Sequence, residues 1–262
     1  MKKTIQRIDL SGINLSGVDF SYAAIHSCIF SGADLSGADL RGVTINTCDF
    51  RGATLTDARL NNAHIRSCNF TGANLSNAQL PECTLTSTTL TGDNLSNAYL
   101  HGSVLQHGSL TKANLFYAIL SNCKFQKIPF DGANLEGACF SGAKLRGINF
   151  CGSDCDLRGL QAFGAEFIDC NLSLVDLREA ILSRAKFINT PLPNARLNRA
   201  GLAEADFTDA AIVGTTFTGA IIQGTNFTGA TRHFTDDPIP GWKLDPSTDS
   251  SNSQLAVLHH TT

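Results

Sequence analysis

The chain has 262 residues, of which 16 % are charged, and a formal net charge of −3. That balance excludes a polybasic nucleic-acid binder and a strongly acidic mimic of nucleic acid. No apolar run approaches 18 residues, which excludes a membrane-spanning helix and a secretory leader from the reading, and nine cysteines, an odd number placed by periodicity rather than in pairs, fit a reducing, cytoplasmic setting.

In chain order, residues 1–7 (MKKTIQR) read as a lead-in, after which a beat of five sets in over 8–230. Every fifth residue from Leu10 to Phe150 is Leu, Ile or Phe, 29 in succession. The frame slips by two residues at 151–156 and resumes at Leu157, running 15 further repeats to Phe227 with Ala162 as the one small centre. Two residues before the centre stands a mostly small residue, as at Ala23, Ala33, Ala53, Ala165 and Ala185; the other three positions are Asp, Asn, Ser, Thr, Arg and Gly. A period of five fits neither an amphipathic helix nor an alternating strand. It fits a chain that turns a corner every five residues, with one large and one small side chain inward on each side. A second period of twenty, seen in Phe30, Phe50 and Phe70 and in Cys28, Cys48 and Cys68, makes four sides to a coil. The 44 repeats then give about 11 coils and, at strand spacing, a rod about 53 Å long. The expected fold is all-β: a right-handed quadrilateral parallel β-helix.

The segments FSGADLSGADLRG, FTGANLSNAQL and FDGANLEGACFSGAKLRG carry the motif A(D/N)LXX. On these repeats the chain, over about 8–230, resembles the pentapeptide-repeat family. The resemblance implies the β-helix. It also brings two activities of individual members: protection of DNA gyrase by DNA-like rods, and action as secreted bacterial effectors. The gyrase-protecting members are strongly acidic along one face and often dimerise through a C-terminal helix, whereas this chain is near neutral and Pro-broken at its C-terminus. The effectors carry a folded N-terminal segment, and here only MKKTIQR precedes the coils.

Along the rod, the phenylalanine column at 30, 50, 70, 130 and 150 is expected to pass to the preceding side after the slip, at Phe167, Phe187, Phe207 and Phe227, with a bulge or short loop at 151–156. Thr88, Asp93, Ser103 and Gly108 make a softer stretch, in which an inward Asp must find backbone N–H partners or lose its charge. Seven cysteines (Cys28, Cys48, Cys68, Cys83, Cys123, Cys155 and Cys170) occupy the small inward position and read as packing. Cys139 and Cys151 fall outward. Asn14, Asn74, Asn94, Asn114 and Asn134 share an outward column and suggest a ladder.

No catalytic or metal-binding spacing appears, no cofactor is implied, and a filled solenoid lacks a pocket. The function expected is therefore that of a non-enzymatic binding or scaffold protein acting on a macromolecular partner, most simply another protein. Direct nucleic-acid binding is not expected, and nothing points to a homodimer. Two outward surfaces stand as candidate contacts: a basic stripe of Arg66, Lys124, Lys127, Lys144 and Arg146, and an apolar set of Phe163, Ile168, Ile181 and Ile188. At the C-terminus, 231–245 reads as a cap in which Phe234, Ile239, Trp242 and Leu244 lid the last coil, and 246–262 as a flexible tail.

Overall fold

Two residues after each large inward centre, the backbone turns left-handed. The φ angles are 67° at Gly12 and Gly17, 57° at Tyr22 and 52° at Ser27, and the pattern repeats at corner after corner. Such a residue, inserted every fifth position into otherwise extended chain, folds it into a square. The computed structural model describes residues 3–150, 156–245 and 255–260, and over most of that length the chain is a four-sided parallel β-helix.

The motif explains the corner. The Asp or Asn just before each centre accepts the backbone N–H two residues on, as Asp34 does from Ser36 at 2.9 Å, Asn74 from Ser76 at 3.1 Å and Asn14 from Ser16 at 2.9 Å. This side-chain-closed turn is what Asp and Asn offer and longer side chains cannot. Between coils the main chain pairs in both directions: Asp34 donates to the Ile13 carbonyl at 3.0 Å, and Leu35 donates to that of Thr54 at 2.7 Å.

The first side, with centres Ile5, Ile25, Ile45 and onward, is the most regular. It forms a ten-stranded sheet in chain order from β1 (Thr4–Gln6) and β2 (Ala24–His26) to β7 (Lys124–Gln126), β8 (Lys144–Arg146), β9 (Glu166–Ile168) and β10 (Lys186–Ile188). The same column continues as bridges through Asp206 to Asn226. The lead-in expected over 1–7 thus already contains a paired strand, since Ile5 stands in register with Ile25. The second, third and fourth sides carry the centres that follow at five-residue steps, beginning with Leu10, Leu15 and Phe20.

The frame slip is absorbed in one coil. Register steps of 22 replace 20 on all four sides, at Lys144↔Glu166, Asn149↔Asn171, Asn134↔Asp156 and Cys139↔Gln161. Every column therefore stays on its own side. The bulge expected at 151–156 lies, Asp156 apart, outside the described residues, as do Cys151 and Cys155.

The interior is filled. Phe30, Phe50 and Phe70 stack on the second side with centroids 4.7 and 4.6 Å apart and planes within 3°. Phe167, Phe187, Phe207 and Phe227 stack on the first side at 5.1, 4.4 and 5.1 Å. The change of side is real and begins before the slip, because Phe125 on the first side already packs against Phe130 on the second at 5.5 Å. Phe150 and Phe167 complete it, edge-on at 6.3 Å.

At the C-terminal end, β11 (Thr231–His233), β12 (Trp242–Asp245) and β13 (Leu255–His260) form a three-stranded antiparallel sheet with β13 in the middle. Within the flexible tail expected over 246–262, residues 255–260 thus form a strand, and the remainder lies outside the described residues. Leu255–His260 has an edge to fill on each flank, and it buries Ala256 and Leu258 beneath the sheet. Trp242 meets Phe227 edge-on at 5.6 Å, and Ile239 is buried, as expected of a lid. Phe234 is not part of that lid: it is 42 % exposed. Arg232 occupies the place of a core centre one coil beyond Ile212, buried, with its Nε 3.6 Å from Asp236, and burial pulls its pKa below the usual guanidinium range.

Candidate functional site

The small inward position builds no reactive centre. Cys28, Cys48, Cys68, Cys83, Cys123 and Cys170 are buried there and free. Cys48 and Cys68 accept the N–H groups of Cys28 and Cys48 at 3.3 and 3.4 Å, so the column stitches coils together. Burial pushes the Cys83 and Cys123 thiols up to about 12 and the Cys170 thiol to about 11, which leaves them protonated and unreactive. Among the described residues no group of three or more His, Cys, Asp or Glu is placed to hold a metal ion, and no helix is long and apolar enough to cross a membrane.

The soft stretch resolves residue by residue. Ser103 donates to the Leu80 carbonyl at 2.6 Å and accepts from the Cys83 N–H at 2.8 Å, so its hydroxyl is satisfied. Gly108 leaves no room for a side chain, since a Cβ there would stand 2.1 Å from the Thr88 carbonyl oxygen. Asp93 is fully buried; Oδ1 accepts the Ala73 N–H at 3.1 Å, while Oδ2 has no partner. Desolvation outweighs that hydrogen bond and raises its pKa to about 8. The inward Asp therefore meets both conditions set by its position: it finds a backbone donor and it is largely neutral at pH 7.

One cleft, where Phe217 and Ile222 meet Pro238 and Ile239 of the cap, is partly enclosed; the other concave features are open grooves on the outer surface. Two of them adjoin along the corner between the third and fourth sides, sharing Arg178 and Glu179, with Arg158 and Gln161 in one and Arg196 and Arg199 in the other. Their charges are balanced locally. Asp156 and Asp176 each hold an arginine two residues on, at 2.6 Å, and Arg199 faces Glu179 at 3.7 Å. The side-chain hydrogen bonds from Arg158 and Arg178 keep both carboxyls below the usual carboxylate range. The same device recurs at Asp39, which binds Arg41 at 2.6 Å and Arg59 at 3.0 Å, and at Asp49 with Arg51. The asparagine ladder is shorter than expected. Asn94, Asn114 and Asn134 are linked amide to amide at 3.2 Å, whereas in the same column Asp34 and Thr54 separate Asn14 from Asn74.

Lys124 and Lys144 stand side by side in register on the first side, as the spacing predicts, with Arg146 on the same strand as Lys144 and Lys127 at the corner just past β7. Arg66, on the strand His64–Arg66, lies three coils away. The stripe ends in acid: Lys144 reaches Glu166 at 3.2 Å and Arg146 reaches Asp169 at 3.7 Å. The basic surface is thus short and partly neutralised.

The apolar set is not one patch. Ile168 and Ile188 are in register on the first side, while Phe163 and Ile181 belong to the fourth. On that fourth side the outward column runs from Tyr99 through Ile119, Cys139, Gln161 and Ile181 to Gly201 and Ile221, one bridge per coil. Ile119 and Tyr99 were not recognised from sequence because the frame slip separates them from the later members; the twenty-residue step carried across the slip is the signal that finds them. The second outward column of this side holds Ser121, Ser141, Phe163, Ser183 and Ala203, with Arg184 over the Phe163 ring at 5.6 Å.

The pentapeptide-repeat family model matches in eight copies that run from residue 5 to residue 231. The chain belongs to the pentapeptide-repeat family. Among solved structures, this pentapeptide-repeat protein is similar to a trypsin-treated variant of QnrB1, a plasmid-mediated fluoroquinolone resistance protein, at 22 % identity over 71 % of this chain and 91 % of that one, with a TM-score of 0.56. HetL, a pentapeptide repeat protein involved in heterocyst differentiation regulation from the cyanobacterium Nostoc sp. strain PCC 7120, is 26 % identical over 87 % of this chain and 91 % of its own, with a TM-score of 0.40. A pentapeptide repeat protein of the Arabidopsis thaliana thylakoid lumen is 25 % identical over 51 % and 68 %, with a TM-score of 0.23. No curated protein matches the pentapeptide-repeat chain by sequence.

Proposed function

We propose that this pentapeptide-repeat protein is a non-enzymatic binding rod that works by presenting its outer columns to another protein. One observation carries this reading: among the described residues from Phe20 to Ile212 the inward positions are filled by buried side chains, Phe217, Ala220 and Ile222 near the cap being partly buried, and the grooves beside Arg158, Arg178 and Arg199 are open to the outside. Chemistry needs a substrate held out of water between converging groups. A solid interior offers no such place, while the exterior offers side chains ordered at strand spacing. The exposed run Lys124, Lys127 and Lys144 is the surface suited to an acidic partner.

The test compares partners captured from a lysate of the source cells by the wild-type rod and by a Lys124→Glu/Lys127→Glu/Lys144→Glu variant. Loss of specific partners from the variant supports the basic run as the contact. An unchanged partner list removes that surface, and a wild-type rod that captures nothing removes the binding reading.

Gyrase protection is the second reading. The fold it shares with QnrB1 favours it; the arginines that cover Asp39, Asp49, Asp156 and Asp176 weigh against it. A supercoiling assay with DNA gyrase and a quinolone decides it. Restored supercoiling at micromolar protein supports protection, and none removes it.

A further inference from the structure

Charge is not spread evenly around the rod. Over the seven coils from Tyr99 to Gln223, the two outward columns of the fourth side comprise 14 positions and hold no Asp, Glu, Lys or Arg. Over the same coils the first and third sides carry Lys124, Lys144, Glu166, Arg158 and Arg178. The uncharged side is also sculpted. Its leading column raises Ile119, Ile181 and Ile221, exposed by 39, 50 and 61 %, and its trailing column is small beside two of them, at Ser121 and Ser183, but large at Phe163 and Gln223. Half of the flanking corners are glycines (Gly137, Gly159 and Gly142 among them), and the others carry exposed side chains such as Glu179, Arg199, Arg184 and Glu204 that form rims to the side.

An exposed isoleucine beside a serine at the same level complements itself. A two-fold axis parallel to the rod sets each coil of one copy against the same coil of the other with the two columns exchanged. Ile119 then faces Ser121, Ile181 faces Ser183 and Phe163 faces Gln161, while residues of like size meet at the other four coils: Cys139 with Ser141 and Gly201 with Ala203 in the middle, Tyr99 with His101 and Ile221 with Gln223 at the two ends. The rims agree as well. Glu179 and Arg199 line one edge, and Arg184 and Glu204 line the other at the same levels. Exchanging the edges brings Glu179 opposite Arg184 and Arg199 opposite Glu204, where like charges would have repelled.

We propose that the fourth side, from Tyr99 to Gln223, is the seat of a second copy of this chain, the two rods lying parallel and side by side. The contact is about 29 Å long, six strand spacings, and one rod side wide. Such a strip is smaller than a standard specific interface, so the dimer is weak and concentration-dependent. The assignment is independent of which protein the rod binds through its charged sides, because it concerns the purified chain alone.

Sedimentation velocity from about 5 μM to about 500 μM, a range bracketing weak specific association, tests it. The expected result is a mass rising from the 27.9 kDa of one chain toward twice that. Ile181→Glu and Ile119→Glu each hold the protein monomeric across the range, while their circular dichroism and melting stay those of the wild type, since both side chains are exposed. Lys124→Glu, on another side, leaves association unchanged. A wild type that stays monomeric throughout overturns the proposal and leaves the side to a different occupant. Dimerisation lost in Ile181→Glu but kept in Ile119→Glu overturns the parallel arrangement, and loss in Lys124→Glu moves the interface elsewhere.

Discussion

Asp93 shows how a single inward position sets the tolerance of the solenoid. The same column carries Ala33, Ala53 and Ala73 before it and Ala113 and Ala133 after it, all buried, so a carboxyl there adds polar atoms to a site sized for a methyl group. Its pKa rises from the ordinary 3.8 to about 8. Between those values the unfolded chain has given up the proton and the folded chain keeps it. The unfolded state then binds fewer protons, so stability falls as pH rises from about 4 to about 8 and is level above that. Asp93→Ala removes the penalty. We expect a variant that melts higher than the wild type, by a margin that widens steadily between pH 4 and pH 8 in thermal melts. A margin that is flat or narrows with pH would contradict the assignment. The Ala73 N–H keeps its second partner, the Phe70 carbonyl at 2.7 Å, so the substitution leaves no orphan donor.

At the scale of elements, the end of the rod depends on one strand. β13 is hydrogen-bonded on both edges, to β11 through Ala256 opposite Arg232 and to β12 through Leu258 opposite Leu244. It also places His260 against Trp242, with ring centroids at 5.2 Å. Deleting residues 255–262 strips β11 and β12 of their shared neighbour and uncovers Arg232 and Trp242. Because Trp242 is the single tryptophan of the chain, its emission reports this directly. We expect a red shift and a lower melting temperature in the truncated protein; an unshifted spectrum would show that the lid holds without β13. Residues 255–258 are a continuous apolar run in sequence, but their two partner edges lie 24 and 14 residues upstream (Arg232 opposite Ala256, Leu244 opposite Leu258) in a non-repeating segment, so no period announces the pairing.

Across the whole molecule, each coil touches only its neighbours, and stability is distributed along the rod rather than pooled in one core. Phe50 sits between Phe30 and Phe70, fully buried. Phe50→Ala opens a void in that stack and costs roughly 3–5 kcal/mol. In hydrogen exchange, the loss should speed the amides of the coils around Phe30, Phe50 and Phe70 while those around Phe187 and Phe207 keep their protection. Uniform loss of protection along the rod would mean that the coils unfold as one cooperative unit. The same one-dimensional layout explains why surface features sort into columns, and why charged and uncharged sides coexist along one narrow rod.

The five-residue beat by itself determined the sides, the filled interior, the change of side of the phenylalanine column and the register of Lys124 with Lys144. It could do so because every such neighbour in a solenoid lies one coil away, so that periodicity in sequence is proximity in space. Tertiary structure alone decided what does not recur at that interval. It paired Lys144 with Glu166 across the slip, set Ile119 in one column with Ile181 through the same insertion, and drew Leu255–His260 into the cap. These outcomes depend on which side a side chain faces after an insertion and on edges left open at an end, and neither is written in the spacing of the residues concerned.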